Sequence, residues 1–357
     1  MKKRCLVILL PLLLAACATK PDMVELSDWQ FEYNGQEYPA AVPGFIHTDL
    51  MANGIIEDPY YGTNEDSVRW VGDSVWFYGT TIRKSELPEG DSLWLVFEGL
   101  AGQASLVING ELIYVMDNMF CQYKFLVSDF LLGLDDSTLN IGLSFWPVSN
   151  THYDEECEAL PGDSLKESQY GIPLPERRAF TRIAPYQQGW DWGPKLPTCG
   201  IWKPVYITNS LTEKTEGSRI RNYSDSSVRD IELRQEQDSI GQSFTFYRDG
   251  KPIFIKGANW IPVHSFPVLD SANRARYRHL LCSAKEAGFN MLRVWGGGIY
   301  EHDYFYNLCD SLGLMVWQDF IFAGTPYPDS PDMLQSIREE ARQQISRIAK
   351  HPCVVLW

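Results

Sequence analysis

One stretch of this chain has chemistry that can be read directly from its residue types: Gln187-Gln188-Gly189-Trp190-Asp191-Trp192-Gly193-Pro194. It follows neither the twofold period of a strand nor the 3.6-residue period of a helix, so it reads as a loop hemmed by Gly and Pro. Its centre is a carboxylate between two indoles. Indole rings stack on the apolar face of a pyranose, and a carboxylate can accept hydrogen bonds from two neighbouring hydroxyls, so Trp190, Asp191 and Trp192 form a candidate sugar-binding trio. A packed corner in which Asp191 caps a turn fits the same residues. Two further stretches mix polar, aromatic and Gly residues after β-leaning runs. They are Lys256-Gly257-Ala258-Asn259-Trp260-Ile261-Pro262 and Arg293-Val294-Trp295-Gly296-Gly297-Gly298-Ile299-Tyr300.

The elements that must carry these stretches alternate between strand and helix. Ile253-Phe254-Ile255 leads into the first and Asn290-Met291-Leu292 into the second. Between them a helical pattern runs from Ala272 to Ala287, with Leu280, Leu281, Ala284 and Ala287 on one face and Gly288 placed to end it. A second helix, about Asp303 to Leu312, carries Phe305, Leu308, Cys309 and Leu312 and stops at Gly313. A third strand, Leu314-Met315-Val316-Trp317, runs into Gln318-Asp319-Phe320. A helix from about Ser330 to Lys350 follows, predicted to turn Met333, Ile337, Ala341, Ile345 and Ile348 inward. Pro352 closes it, and Cys353-Val354-Val355-Leu356-Trp357 reads as a fourth strand. Strand, helix, strand in repeat means a parallel sheet. Polar and aromatic residues at the strand ends predict the first half of a (β/α)8 TIM barrel, where chemistry sits at the C-terminal ends. A doubly wound α/β domain has the same local pattern, although no Gly-x-Gly-x-x-Gly follows the first strand, which weakens its dinucleotide-binding form.

Upstream, residues 25–208 read as all-β, a jelly-roll-like β-sandwich. Ser74 to Ile82, Leu93 to Phe97, Ala104 to Ile108, Leu139 to Trp146 and Val205 to Ile207 are strand-like, and Asn109-Gly110 is a strong hairpin signal. Residues 209–250 begin as polar linker and end in two alternating runs, Ile231 to Arg234 and Ser243 to Tyr247, too little for a domain; residues 251–357 hold the partial barrel. At the N-terminus, Lys2-Lys3-Arg4, the apolar run Leu6 to Leu14 and then Leu14-Ala15-Ala16-Cys17 resemble a bacterial lipoprotein signal (1–17), with Cys17 as the lipidation site and 18–24 as tether. The apolar run is too short to span a bilayer. An ordinary signal peptide with an incidental Cys is the alternative. The expected location is an exported lipoprotein, periplasmic or anchored in the outer membrane and touching membrane only through Cys17.

Composition narrows the partners. A formal charge of −15 argues against nucleic acid and anionic membrane surfaces, because no basic patch is available to release counterions. Twelve Trp and eighteen Tyr exceed the needs of packing and suit a sugar or peptide cleft. Cys121, Cys157, Cys199, Cys282, Cys309 and Cys353 are scattered with no metal-ligand spacing, so no metal site is predicted, and Cys282, Cys309 and Cys353 read as buried thiols.

Taken together, Gly189 to Pro194, Lys256 to Pro262, Arg293 to Glu301, Trp317-Gln318-Asp319-Phe320 and His351 to Trp357 resemble the glycoside hydrolase family 2 β-mannosidases. β-Galactosidases and β-glucuronidases of that family carry an Arg followed shortly by a His after the second barrel strand, where this chain has Arg293-Val294-Trp295-Gly296. The resemblance implies an exo-acting, retaining enzyme that releases terminal β-D-mannose from mannosides or manno-oligosaccharides without metal or cofactor. Its two Glu would stand about 5–5.5 Å apart, one a nucleophile and one an acid/base. By position, Trp190, Asp191 and Trp192 would hold the sugar and Trp295 would wall the −1 subsite. Arg293, Asn259 and Asp319 would support, Arg293 by acting electrostatically on the nucleophile or as a structural ion pair at the rim. Two departures follow. Residues 209–250 are only a remnant of the family's immunoglobulin-like domain. A (β/α)8 barrel takes about 250 residues, whereas about 105 follow residue 252. The resemblance implies that the acid/base Glu lies just after Trp357, and the length implies that this chain is a fragment, expected to have no catalytic residues of its own. A non-catalytic glycan-binding lipoprotein and a family 2 hydrolase for another β-glycoside are the competing expectations.

Overall fold

The computed structural model describes residues 21–131, 138–147, 178–211 and 231–357. Cys17 with the signal segment, Cys157 and most of the polar linker lie outside these residues.

Ten strands build the N-terminal part: β1 (Met23–Glu25), β2 (Trp29–Tyr33), β3 (Gln36–Ala40), β4 (Trp76–Arg83), β5 (Trp94–Phe97), β6 (Gln103–Ile108), β7 (Glu111–Met116), β8 (Tyr123–Leu126), β9 (Thr138–Trp146) and β10 (Val205–Thr208). They form a six-stranded sheet, β3-β2-β4-β9-β6-β7, and a four-stranded sheet, β1-β10-β5-β8, with every pairing antiparallel. Alternation sets the faces. Along β9, Leu139, Ile141, Leu143 and Phe145 are each at most 1% exposed, while Asn140 and Trp146 face out. The Asn109-Gly110 turn has both residues at positive φ, 49° and 85°, as the hairpin signal requires. A helix the sequence pattern does not announce, α1 (Ile46–Ala52), buries Ile46 and Leu50 completely. Its buried Asp49 accepts from the Ala41 N–H at 2.8 Å and the Tyr78 hydroxyl at 2.8 Å.

Three short strands, β11 (Ile231–Arg234), β12 (Thr245–Arg248) and β13 (Lys251–Ile253), make a separate antiparallel sheet. Then come β14 (Gly257–Trp260), α2 (Ser271–Glu286), β15 (Met291–Val294), α3 (Asp303–Leu312), β16 (Met315–Gln318), α4 (Pro331–Ile348) and β17 (Val354–Leu356). The strands form a parallel sheet in sequence order. Helix ends are set locally: the Asp270 carboxylate accepts from the Asn273 N–H at 2.7 Å, Ser330 caps α4, and Gly313 ends α3 in the left-handed region at φ 64°. His351 and the Cys353 N–H both bond Asp310, at 2.8 Å each, which ties the start of β17 to the end of α3.

Three expectations need correction. Ile253-Phe254-Ile255 does not open the parallel sheet. Ile253 closes the preceding antiparallel sheet and Phe254 is 80% exposed. The first parallel strand is Gly257-Ala258-Asn259-Trp260, where a Cβ on Gly257 would lie 1.9 Å from the Met291 carbonyl oxygen. The close approach demands Gly and so erases the apolar signature of the strand. In α2 the buried row is Asn273, Tyr277 and Leu281, and Leu280 is 44% exposed. In α4 the buried residues are Glu340, Gln344 and Ile348, whereas Ile345 is 40% exposed.

The reason in α4 is the sandwich. Arg182 forks onto Glu340 through Nε at 2.8 Å and Nη2 at 2.6 Å, Asn118 donates to Glu340 at 3.1 Å, and the Tyr300 hydroxyl donates to it at 2.8 Å. Gln344 donates to the Phe120 carbonyl. A polar helix face is buried because the neighbouring β-module supplies its partners.

Candidate functional site

The Trp-Asp-Trp loop leaves the sandwich after a short 3-10 turn, Pro185–Gln188. Tyr186 and Gln187 pin it to the parallel-sheet module. The Tyr186 N–H donates to the Gly297 carbonyl at 2.9 Å, its hydroxyl to the His264 carbonyl at 2.9 Å, and Gln187 Nε2 to the Ser265 carbonyl at 2.8 Å. Gly189, at φ 99°, then reverses the chain, a conformation that disfavours any side chain. Trp190 and Gly193 exchange backbone hydrogen bonds of 3.4 and 3.3 Å, so Asp191 and Trp192 form the tip of a tight turn. Both tip residues are exposed.

The loop meets the C-terminal end of β15. Trp295 follows Val294, and its N–H donates to the Trp260 carbonyl at 3.2 Å. The three glycines after it each have a steric reason. A Cβ on Gly296 would stand 2.6 Å from the Phe322 carbonyl oxygen, one on Gly297 would be 1.9 Å from the Trp295 ring, and one on Gly298 would be 2.9 Å from Pro262. The Trp295 indole thus lies folded over its own backbone. The Trp190 ring meets it edge-on at 4.8 Å and the Trp192 ring at 5.9 Å, and Trp192 stacks on Tyr186 at 6.2 Å. The structure brings Trp190, Trp192 and Trp295 into one cluster, with Asp191 exposed at the tip of the same turn. Rings edge-on to one another leave faces for an apolar ring surface, and the carboxylate supplies acceptors for its hydroxyls.

Asn259, Arg293 and Trp317 are register partners on β14, β15 and β16. Arg293 grips Asp319 with both arms, Nη2 to Oδ2 at 2.6 Å and Nε to Oδ1 at 3.1 Å, and reaches Asn259 Oδ1 through Nη1 at 3.3 Å. Asp319 also accepts from the Gly296 N–H at 3.2 Å. The supporting candidates Arg293, Asn259 and Asp319 therefore form one row that fixes the backbone from which Trp295 projects.

Several residues at this site carry no signal in the sequence. Arg178 is buried with its Cζ 5.5 Å from the Trp190 ring, and its Nε and Nη1 have no hydrogen-bond partner among the described residues. Gly324, at φ 67°, leaves room for Trp190, since a Cβ there would be 2.7 Å from that indole and 3.0 Å from Arg178 Nη2. Arg182 donates to the Ile321 carbonyl at 2.8 Å and lies over Phe322 at 4.5 Å, holding the segment that leads to Gly324. Glu301 ends the Arg293 to Glu301 motif yet is only 1% exposed. It accepts from Trp260 Nε1 at 3.0 Å and from the Tyr277 hydroxyl, and burial pushes its carboxyl up to about 7. A charged residue in sequence reads as surface, and only tertiary neighbours reveal otherwise. Among the described residues no group of His, Cys, Asp or Glu could hold a metal ion.

A β-sandwich loop that caps the C-terminal ends of parallel strands with indoles and a carboxylate defines a carbohydrate-active, two-module architecture. Comparison with known proteins gives the same class. Residues 29–203 match the family described as glycosyl hydrolase 2 galactose-binding domain-like. The chain is 30% identical to the β-mannosidase of Mus musculus, over 99% of this chain and 51% of that one. It is 30% identical to β-mannosidase B of Emericella nidulans, over 92% of this chain and 49% of that one. Among solved structures it superposes on the β-D-mannosidase of Dictyoglomus thermophilum with a TM-score of 0.81 and 31% identity, covering 94% of this chain and 52% of that one. The fold alone is shared with an exo-chitosanase from Amycolatopsis orientalis, TM-score 0.62 at 13% identity over 94% of this chain and 49% of that one. The chain belongs to glycoside hydrolase family 2, a family of glycosidases. It spans about half the length of the curated relatives it matches.

Proposed function

We propose that this chain is the sugar-gripping part of an exo-acting, retaining β-mannosidase that releases terminal β-D-mannose from mannosides and manno-oligosaccharides. The observation that carries the reading is the convergence of Trp190 and Trp192 on Trp295, with Asp191 at the tip of the same turn. Asp191 accepts from two hydroxyls of the terminal sugar, the indoles contact its apolar face, and Trp295 forms the wall beside the reacting ring. Arg293, Asn259 and Asp319 position that wall through their hydrogen-bonded row. The four parallel strands are taken as the first half of a (β/α)8 barrel, which puts the site at the end where such barrels do their chemistry. In a retaining glycosidase one carboxylate attacks the anomeric carbon while a second protonates the leaving oxygen and then activates water. We assign neither to the described residues: Glu301 is buried and bonded at both oxygens, and Asp191 serves binding.

Calorimetry of this chain with methyl β-mannoside, beside the gluco and galacto epimers, tests the reading. Mannoside binding that weakens at least tenfold in Asp191→Ala and in Trp190→Ala is the expected result. Equal affinity for all three epimers would favour a family 2 protein for another β-glycoside. Hydrolysis by this polypeptide alone would overturn the assignment of the catalytic pair. The N-terminal pattern supports export with a lipid anchor at Cys17, for which labelling with a radioactive fatty acid, lost in Cys17→Ser, is the check.

A further inference from the structure

The six-stranded sheet turns a second polar surface outward. A hollow of about 550 Å³ lies on it, within the roughly 300–1,000 Å³ usual for small-ligand sites. Its floor is made by Gly79 on β4 and Gly142 on β9, which are direct cross-strand partners in the middle of the sheet. Folding does not require either glycine. Neither has positive φ, a Cβ on Gly79 would meet nothing within 4 Å, and one on Gly142 would find its nearest atom at 3.8 Å. Glycine inside a strand weakens it and often marks a place where something else comes close to the backbone. One wall is Phe77, an aromatic ring 49% exposed, two residues along β4 from Gly79. The opposite wall is Thr81, register partner of Asn140, with Thr81 Oγ1 and Asn140 Oδ1 3.0 Å apart. Gln30, register partner of Gly79, stands on the next strand. Asp28, Glu32 and Glu37 also border the hollow, and among the described residues no Lys or Arg lines it. An aromatic platform, amides and hydroxyls over a bare backbone floor suit an uncharged, hydroxyl-rich ring, and the carboxylates repel anionic ligands.

We propose that this hollow is an accessory binding site for a neutral glycan chain, with Phe77 as stacking platform and Gln30, Thr81 and Asn140 as partners for its hydroxyls. It shares no residue with the Trp190 loop, so polymer held here is held independently of the sugar gripped there.

Affinity electrophoresis of this chain in gels carrying soluble glucomannan, galactomannan or xylan tests it, with polygalacturonate as the anionic comparison. At least one neutral polymer is expected to retard the chain. Phe77→Ala and Gly142→Leu are each expected to weaken retardation at least tenfold, and Asp191→Ala to leave it intact. Gln30→Ala, an exposed edge-ward substitution, supplies a second reading if Gly142→Leu lowers the melting temperature. The proposal is overturned by no retardation in any neutral gel, by retardation unchanged in Phe77→Ala and Gln30→Ala, by loss confined to Asp191→Ala, or by equal retardation in polygalacturonate. A Phe77→Ala change that alters only the oligomeric state would also overturn it, by assigning the face to a second copy of the chain.

Discussion

Gly297 and Gly324 show how little room the aromatic cluster leaves at the scale of single residues. Gly297→Ala would drive a methyl into the Trp295 ring, and Gly324→Val would meet both Trp190 and Arg178 from a left-handed backbone position. Each substitution is expected to weaken mannoside binding at least tenfold, with a shift in tryptophan fluorescence, while far-ultraviolet circular dichroism stays native. Unchanged affinity in both would show that the indoles do not need their present places. Glu301 makes a separate prediction about pH. Burial raises its folded-state pKa to about 7 from an ordinary 4.5, so the folded state holds its proton more tightly than the unfolded chain does. Its contribution to stability is complete below about 4.5 and is lost as pH rises through 7. The loss is on the order of 3 kcal/mol. Asp49, also raised to about 7 by burial, acts in the same direction. Burial lowers His47 to about 3 and His302 to about 4, which acts in the opposite direction up to about pH 6.5, so the test is the difference between two proteins: between pH 5 and 7 the melting temperature of wild type should fall relative to that of Glu301→Gln. An identical pH profile in wild type and Glu301→Gln would show that Glu301 does not titrate between the folded and unfolded states as burial requires.

Among the elements, α4 departs furthest from its amphipathic pattern. Apolar spacing places Ile337, Ala341 and Ile345 on one stripe, yet the buried row is Glu340, Gln344 and Ile348. The helix is oriented by a charge pair whose partners lie 158 residues apart in the chain. Removing one member of a buried pair leaves the other desolvated and alone, at a cost of about 3–5 kcal/mol. Glu340→Ala is thus expected to lower unfolding free energy by that much in urea titrations. The double variant Arg182→Met/Glu340→Leu should recover a large part of it. If Glu340→Ala costs less than about 1 kcal/mol, the pair does not orient the helix. The strands were more legible. The Asn109-Gly110 hairpin and the strand from Leu139 to Trp146 stand where the sequence put them, whereas β14 was hidden because its close approach to β15 requires Gly257.

For the whole molecule, the decisive feature is that one continuous core contains Phe45 and Trp202 of the sandwich together with Phe266, Tyr300 and Val316 of the parallel-sheet module. Modules that share a core and a buried ion pair should unfold together. Calorimetry is expected to show a single transition for them, and two well-separated transitions would contradict the shared core. The same docking lets a loop from one module complete a site on the other through Tyr186 and Gln187.

What the sequence by itself determined was chemistry and period: an acidic tip between indoles, strands alternating with helices, a hairpin at Asn109-Gly110 and a helix stop at Gly313. These depend on residues near one another in the chain, where side-chain spacing and backbone preference act directly. The tertiary structure alone decided that Trp190 and Trp192 face Trp295, that Arg178, Arg182, Glu301 and Glu340 are buried, and that Gly79 lies opposite Gly142. Burial of a polar group depends on a partner supplied from elsewhere in the chain, and periodicity along one segment carries no record of that partner.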